Sequence, residues 1–266
     1  MYGLYPLYSA ALVITAYPKW CLRSIPIYCS LSATAEFGKS YKRKKLPVEL
    51  LESVTKLTCE SAARGGACDV YLIGTVHNSP KSCQEVRQLI RLIKPGAVLV
   101  ELCPFGAKFL NRIAKRKIYE SNPLGEFQVA YEEANKYGAK VVLGDRPSGI
   151  TFRRFPVMAF LREFCISFIF SREKLISTLK QLNRIKSDGP NNTITGALNQ
   201  ELAKLLPSYV ETLVYERDRY ISGKLLEVAR EHSSIVAIVG KGHVPGIQKN
   251  WKQPVDVKIL CHSLIL

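Results

Sequence analysis

The chain has 266 residues, of which 47% are hydrophobic and 23% charged, and this composition is that of a globular protein with a sizeable core. Its charge is basic, with 38 Lys and Arg against 22 Asp and Glu, which predicts a solvated face or, alternatively, contact with anionic lipid. No membrane-spanning helix is predicted, because no uninterrupted apolar segment reaches about 18 residues. Nucleic-acid binding is disfavoured, because the basic runs lack a series of interleaved aromatic side chains.

The basic excess is concentrated at the beginning of the chain. Residues 1–45 hold seven basic residues and one acid, Glu36. Residues 1–46 are therefore predicted to be a leader and linker, either disordered or similar to an organellar transit peptide. We expect an α/β domain over residues 47–254 and a short tail over residues 255–266.

Short apolar runs without polar alternation predict strands that are covered on both faces, as in parallel sheets. An edge strand at 57–60, a glycine turn and a strand at 70–73 predict a hairpin at the start of the domain. The further predicted elements, in chain order, are a helix from Ser79 to about Lys94, a strand at 97–101, a helix at 126–137, a strand at 140–143 and a last strand at 234–239. This alternation predicts an α/β fold with a largely parallel central sheet flanked by helices.

Residues 151–223 are predicted to form a helical insertion between the third and the last core strands. The most apolar part is FPVMAFLREFCISFIF at 155–170, which is interrupted by Arg162 and Glu163 and is predicted to be a buried or interfacial helix. The insertion is expected to cover the sheet edge as a lid or to serve as a docking surface.

The chain has eight cysteines, but it contains no CxxC pair and no zinc-finger spacing. Cys59 and Cys68 flank a predicted loop. Cys103 and Cys165 are predicted to be inert buried thiols because their neighbours are apolar. This usage predicts a reducing compartment.

Two Gly-x-x-His motifs, at 74–77 and 240–243, each follow a predicted strand. Two further predicted strands also end in charged residues. Because the carboxyl ends of parallel strands share one edge of a sheet, these side chains are expected to meet in one crevice. The residues predicted to converge are His77, Glu101, Asp145, Arg146 and His243.

Two imidazoles and one carboxylate at such an edge form a facial set of ligands that suits a divalent metal. The predicted ligands are His77, His243 and Glu101. Asp145 is predicted to orient an imidazole or to act as a base, and Arg146 to stabilise an oxyanion or to hold a carboxylate or phosphate. A metal-free polar network is the alternative, because spacing does not distinguish the two.

Further residues are predicted to support this site. Glycine at a strand end lets the backbone turn sharply and lets a ligand approach closely. For Arg217, Asp218 and Arg219, on the helix that begins near Ser208, a solvated face that pairs its own charges is the favoured interpretation. The predicted supporting residues are Gly74, Thr75, Gly240, Gly242, Arg217 and Asp218.

At these residues the chain resembles the TraB family, also called the TraB/PrgY/GumN or TIKI-related group. The resemblance covers roughly residues 69–251 and rests on the phrases GTVH, ELC, LGDRP and VGKGHVPGI in this order. The matching segments are YLIGTVHNS (71–79), VLVELCP (98–104), GEFQVAYEEANKYGAKVVLGDRP (125–147), ITFRR (150–154), ERDRYISGKLLEVA (216–229) and VAIVGKGHVPGI (236–247). Segments such as LTCES and GGACDVYLIGT resemble plant members most closely.

The resemblance implies a site made of the two Gly-x-x-His motifs and Glu101. The TIKI branch is associated with metal-dependent proteolysis, bacterial members with pheromone shutdown, and plant and animal members with the mitochondrial outer membrane, organelle contact and quality control. The resemblance therefore implies an intracellular protein at the mitochondrial outer-membrane surface, or a cytosolic one if the C-terminal apolar anchor of plant members is absent. One departure is Gly106, which stands where the family has an arginine and removes five N–H donors from the edge of the site.

Two functions from different classes follow from these patterns. The first is a metal-dependent hydrolase, in the first place a peptidase, acting on a peptide or protein. The second is a non-catalytic adaptor or regulatory protein at an organelle surface, which keeps the fold and docks on a membrane or a membrane protein through the leader and the insertion.

Overall fold

The computed structural model describes residues 45–108 apart from 64 and 78, residues 125–188 and 192–253, and residues 255 and 257–261. Nearly all of the predicted leader therefore lies outside the described residues. The same holds for residues 109–124 and for residues 262–266 of the predicted tail.

The described residues form a five-stranded sheet with the order β1-β2-β5-β3-β4. The strands are β1 Val54–Glu60, β2 Ala67–Thr75, β3 Ala97–Val100, β4 Lys140–Leu143 and β5 Ser234–Gly240. β1 is antiparallel to β2, whereas β2, β5, β3 and β4 run parallel to one another. This confirms the α/β fold with a largely parallel sheet, and it places the last strand of the chain between β2 and β3.

The helices lie on both faces of the sheet and in the insertion. They are α1 Val48–Leu51, α2 Pro80–Ile93, α3 Gly125–Lys136, α4 Ser148–Arg154, α5 Val157–Phe170, α6 Arg172–Asp188, α7 Asn192–Leu205, α8 Pro207–Val210, α9 Glu216–Ala229, α10 Val244–Asn250 and α11 Val257–Cys261. A π-helical turn, Glu211–Tyr215, joins α8 to α9, and a 3-10 turn, Lys241–His243, joins β5 to α10.

Local sequence features set the start of α2 and the turn between β1 and β2. The Ser79 side chain caps α2 by accepting from the Ser82 N–H at 3.4 Å, and Pro80 occupies its first turn. At the hairpin between β1 and β2, Gly65 and Gly66 have φ of 99° and 68°, a region that glycine adopts without Cβ strain.

The sheet is buried on both faces. One core packs α2 and α3 against the sheet, with Phe127 and Ile73 among its members. The other packs α9 and α10 on the opposite face, with Ile221 and Leu72 among its members. Neighbouring residues of β2 thus enter different cores, which explains why the strands lack polar alternation.

The insertion runs from α4 to α9, between β4 and β5. It extends beyond the predicted 151–223, because α4 begins at Ser148 and α9 continues to Ala229. The insertion has a small core of its own, formed by Leu175, Leu202, Leu205, Leu206 and Val210.

α5 was predicted to be buried or interfacial, and the first of these alternatives is wrong. Ser167 is its buried residue, and most of its large apolar side chains are exposed. Cys165 on this helix is exposed as well, so the prediction of an inert buried thiol is wrong there, whereas Cys103 is buried. Within the described residues, no helix combines the length and the apolar content needed to cross a bilayer.

Candidate active site

The carboxyl ends of β2, β3 and β5 bring His77, Glu101 and His243 to one crevice. Gly240, the last residue of β5, lies between them. A Cβ on Gly240 would be 3.4 Å from both His77 Nε2 and Glu101 Oε2, so glycine leaves room for two polar side chains to approach the strand end. The Gly240 N–H donates to Glu101 Oε2 at 2.6 Å and fixes that carboxylate.

His243 is held at both ring nitrogens. Its Nδ1 lies 2.6 Å from Oδ1 of Asp218, and its Nε2 lies 3.1 Å from Oε1 of Glu101. All three residues are buried. Because Asp218 belongs to α9, the last helix of the insertion fixes the orientation of this ring.

His77 has a similar partner at Nδ1, but its side chain is 51% exposed. Its Nδ1 lies 2.5 Å from Oε1 of Glu126 on α3, a side chain that is fully buried. Its ring packs near that of Phe127, with 5.8 Å between the centroids. In both histidines, therefore, Nδ1 faces a buried carboxylate. Nε2 of His243 contacts Glu101, whereas Nε2 of His77 borders the same strand end, at Gly240, as Glu101 Oε2.

The Arg217 guanidinium donates four hydrogen bonds to oxygen acceptors, and His243 Nε2 is its fifth polar neighbour. Its Nε and one terminal nitrogen bind both oxygens of Asp145, each at 3.0 Å. The same terminal nitrogen donates to Glu101 Oε1 at 2.5 Å, and the other lies 3.1 Å from the Leu213 carbonyl and 3.1 Å from His243 Nε2. The guanidinium thus joins the ends of β3 and β4 to the insertion.

The electrostatics of the crevice favour cations. Burial alone would raise the pKa of Glu101, but His243, Arg217 and the Gly240 N–H hold it well below its usual range. Burial alone would lower the pKa of His243, but the Glu101 and Asp218 carboxylates raise it to about 10. The hydrogen bond to Glu126 likewise raises the pKa of His77.

His243 Nε2 has two neighbours that require different states of the ring. A proton on Nε2 satisfies Glu101, whereas an unprotonated Nε2 accepts from Arg217, and each neighbour is 3.1 Å away. Burial and the Arg217 guanidinium oppose protonation of this ring, and the Glu101 and Asp218 carboxylates favour it. A cation that replaced this proton would meet the same ligands.

The π-helical turn sets the direction of three consecutive charged residues at the start of α9. Glu216 binds Arg146 and Arg154, Arg217 enters the crevice, and Asp218 binds His243. π-Helical turns occur often at functional sites, where they change the helical register. The interpretation of Arg217 and Asp218 as a solvated, self-paired face is wrong, because their partners are Glu101, Asp145 and His243.

Arg146 does not contact the crevice, although its neighbour Asp145 does through Arg217. Its side chain is fully buried, and its guanidinium donates to Glu216 at 2.6 Å, to Thr151 Oγ1 at 3.0 Å and to the Thr212 carbonyl at 3.0 Å. These bonds tie the end of β4 to the insertion. Arg146 is therefore a structural clamp here, and the expected substrate contact does not follow from its position.

The remaining predicted residues support the crevice from the backbone. Thr75 donates to the Val239 carbonyl at 3.2 Å and so ties β2 to β5 beside the site. The Gly242 carbonyl accepts from Asn199 of α7 at 3.2 Å, and both residues line the crevice. Gly74 pairs with Val239 in the sheet register.

The crevice has a volume of about 590 Å³. Strand ends form its polar floor, and the insertion supplies an apolar wall. The wall residues are Leu182, Leu202, Tyr209, Leu213 and Val214. A volume in this range suits a small ligand or a few residues of a peptide.

The donor set fits a divalent cation in its chemistry. Two imidazoles, each oriented through Nδ1 by a buried carboxylate, together with one further carboxylate form the ligand arrangement of many metal sites. Arg217 competes for the same atoms, and among the described residues no three His, Cys, Asp or Glu side chains close on one point. A cation held by His77, His243 and Glu101 would thus require the guanidinium to release Glu101 and His243 while it keeps Asp145.

Comparison with known proteins gives the family. Residues 157–255 match the model of the TraB/PrgY/gumN family. The TraB domain-containing proteins of Mus musculus and Homo sapiens are 28% and 26% identical, and each alignment covers 82% of this chain and 70% of the relative. The chain belongs to the TraB/PrgY/gumN family. An uncharacterized protein of Methanocaldococcus jannaschii is 30% identical, with 70% of this chain and 54% of that protein covered.

The TraB family match extends from α5 to beyond α10, so it includes Arg217, Asp218 and His243. The sequence resemblance implies an arginine where this TraB protein has Gly106. Gly106 lies beside Leu102: a Cβ added at this glycine would be 3.2 Å from Leu102 Cδ2. In this chain the guanidinium that reaches Glu101 comes from Arg217 instead.

Sequence reasoning missed Glu126 and Glu216. Glu126 is in the first turn of α3, where an acidic residue is expected to favour the helix dipole and needs no other explanation. The signal that could have identified it is burial, because Glu126 lies between Gly125 and Phe127 on the face that packs on the sheet.

Proposed function

We propose that this TraB-family protein is a divalent-metal-dependent hydrolase that cleaves peptide bonds. One observation carries the proposal. Each of two histidines from distant motifs directs Nδ1 to a buried carboxylate; Nε2 of His243 contacts Glu101, and Nε2 of His77 borders the same strand end, at Gly240, as Glu101 Oε2. A purely structural histidine needs one such partner, but two that converge on a third acidic group favour a shared cation.

The charge balance supports a bound cation. Four carboxylates, those of Glu101, Glu126, Asp145 and Asp218, lie within hydrogen-bond distance of the two imidazoles and the single guanidinium. With both rings neutral, these four carboxylates meet one guanidinium, and the Lys241 ammonium also lines the crevice. Buried charge is stable only when it is compensated, so protonation of the rings or a divalent cation must supply the difference.

His77, His243 and Glu101 would hold the cation, which when bound supplies an activated water and a polarised carbonyl. Glu126 and Asp218 accept hydrogen bonds from the Nδ1–H groups. These bonds keep each ring in one tautomer and increase the basicity of Nε2. Asp145 binds Arg217 through both carboxylate oxygens and is therefore proposed to position this arginine rather than to act as the base. Arg217, once it releases Glu101, is the cationic side chain that would stabilise an oxyanion.

The crevice wall suggests the substrate. Leucine, valine and tyrosine side chains from the insertion face the strand ends across a volume of about 590 Å³. This surface suits an apolar side chain next to the scissile bond. We therefore expect cleavage of peptides with leucine or phenylalanine near that bond, and little cleavage of acidic peptides, which the Glu101 and Asp145 carboxylates would repel.

Metal analysis of the purified full chain tests the proposal. We expect stoichiometric divalent metal in the parent protein and its loss in His77→Ala and His243→Ala. His232→Ala is the matched control, because His232 lies outside the crevice, beside Gly96, and its removal should leave metal content unchanged. Equal metal content in all four proteins, or a well-folded parent that binds no added zinc, manganese or cobalt, would contradict the proposal and leave the adaptor function.

A further inference from the structure

α5 carries an apolar surface that no described residue covers. Met158 and Phe170 are each 80% exposed and Ile169 is 70% exposed. The other exposed apolar side chains of this helix are Val157, Leu161, Phe164, Ile166 and Phe168. Surface patches larger than a few hundred Å² are uncommon on soluble monomers and mark contact sites.

One line of residues fixes α5 to the insertion. Glu163 accepts from the Ser208 N–H at 2.9 Å and from its hydroxyl at 2.5 Å, and Ser167 donates to the Leu205 carbonyl at 2.7 Å. Phe160, on the same side, packs near Tyr209 with 6.0 Å between ring centroids. The helix is therefore held firmly through a narrow strip, and the rest of its circumference faces outward.

Basic residues outnumber acidic ones around this surface. Between residues 153 and 173 the chain has four arginines and two acids, Glu163, whose carboxylate accepts from Ser208, and Glu173. Arg154 is paired with Glu216, whereas Arg162 and Arg172 are exposed in the middle and at the end of the apolar surface. The Arg172 guanidinium lies 5.3 Å from the centre of the Phe168 ring, so its stem follows the apolar side chains while its charge stays outside.

We propose that α5 binds the surface of an anionic lipid membrane and lies in its interface plane. With 14 residues at about 1.5 Å each the helix is too short to cross a bilayer of about 30 Å, so its apolar side chains would enter the headgroup and upper acyl region only. Arg162 and Arg172 contact the lipid phosphates.

A second copy of this chain fits the surface less well. Arg162 lies near the midpoint of α5, so an antiparallel pairing of two such helices about a two-fold axis would bring two Arg162 side chains together. The Glu163 carboxylate is directed to Ser208, on the side of the helix that packs on the insertion, and so lies away from such a contact. Like charges inside an apolar contact are costly, whereas lipid phosphates neutralise them.

Vesicle flotation of the full chain tests this inference. The probes are vesicles of phosphatidylcholine alone and vesicles with phosphatidylglycerol as about a third of the lipid. We expect the protein to float with the anionic vesicles and to bind the neutral ones at least about tenfold more weakly. Ile169→Trp should show a blue shift of tryptophan emission on binding, and brominated acyl chains should quench it.

Two variants distinguish the apolar and the charged contributions. The double variant Ile169→Glu, Phe170→Glu changes exposed side chains, so it should fold normally and lose binding at least about tenfold. Arg162→Glu should weaken binding to anionic vesicles only. Val48→Glu is the matched control, because Val48 is 78% exposed on α1 and outside this surface.

Three outcomes would overturn the proposal. These are an absence of flotation with anionic vesicles, equal flotation of the double variant and the parent, and a dimer in solution that dissociates in the double variant without any vesicle binding. Metal content and vesicle binding are independent readouts, so failure here leaves the proposed hydrolase function intact.

Discussion

Replacing Arg217 by methionine should destabilise the protein by about 3 kcal/mol at neutral pH, because the substitution removes a cation from between two carboxylates. Breaking a buried ion pair from one side typically costs about 3–5 kcal/mol, since the partner stays charged and unpaired. The Arg217 side chain is 20% exposed and Glu101 is 6% exposed, so the lower end of that range applies. Methionine keeps the apolar stem of the side chain and limits the loss of packing.

Urea unfolding at pH 7 measures this effect as a shift of the midpoint at constant slope. Arg219→Met is the matched control, because Arg219 is on the same helix and its partner Glu211 is half exposed, so we expect a loss of less than about 1 kcal/mol. Adding Asp145→Asn to Arg217→Met should recover part of the loss, because one unpaired carboxylate then disappears. An Arg217→Met protein within about 0.5 kcal/mol of the parent would refute the buried ion network.

Two further substitutions test the surroundings of the site and the pH dependence of the fold. Gly246→Ala would place a methyl group against the Asp218 carboxylate, which must then move away from His243. We expect the free energy of unfolding to fall by about 2 kcal/mol. Unchanged stability would show that Gly246 does not pack against Asp218. The hydrogen bond from Arg91 lowers the pKa of Glu133 to about 2, so this carboxylate stabilises the fold above its unfolded pKa of about 4.3 and the contribution is lost as the pH falls toward 2. Between pH 7 and pH 3, the free energy of unfolding measured in urea should therefore fall less in Glu133→Gln than in the parent. An equal fall in both proteins would contradict this assignment.

The sheet and its flanking helices could be predicted from the sequence because their signals are local. Four apolar runs, a Ser-Pro helix start and glycine turns act within a few residues, and the hairpin, α2 and β4 follow them closely. The meeting of His77, Glu101 and His243 follows from the rule that parallel strands end at one edge. The position of β5 between β2 and β3 does not follow, because strand order depends on contacts between distant segments.

The arginines show where sequence reasoning ends. Asp145 and Arg146 are neighbours at the end of β4, so their side chains take different directions: one meets Arg217 and the other is buried in the insertion. The direction of Arg217 depends on the π-helical turn before α9, which no pattern in the sequence indicates. The apolar sequence of α5 indicates burial against something, but it does not say whether the partner belongs to the same chain.

A zinc titration followed by histidine side-chain nitrogen NMR tests the proposed centre most directly. We expect the Nε2 resonances of His77 and His243 to shift together with saturation, while both Nδ1 atoms stay protonated against Glu126 and Asp218 and the His232 resonances stay unchanged. Glu101→Gln should weaken both shifts. Independent shifts of the two rings, or no change in either at saturating zinc, would contradict a shared metal centre at the end of the parallel strands.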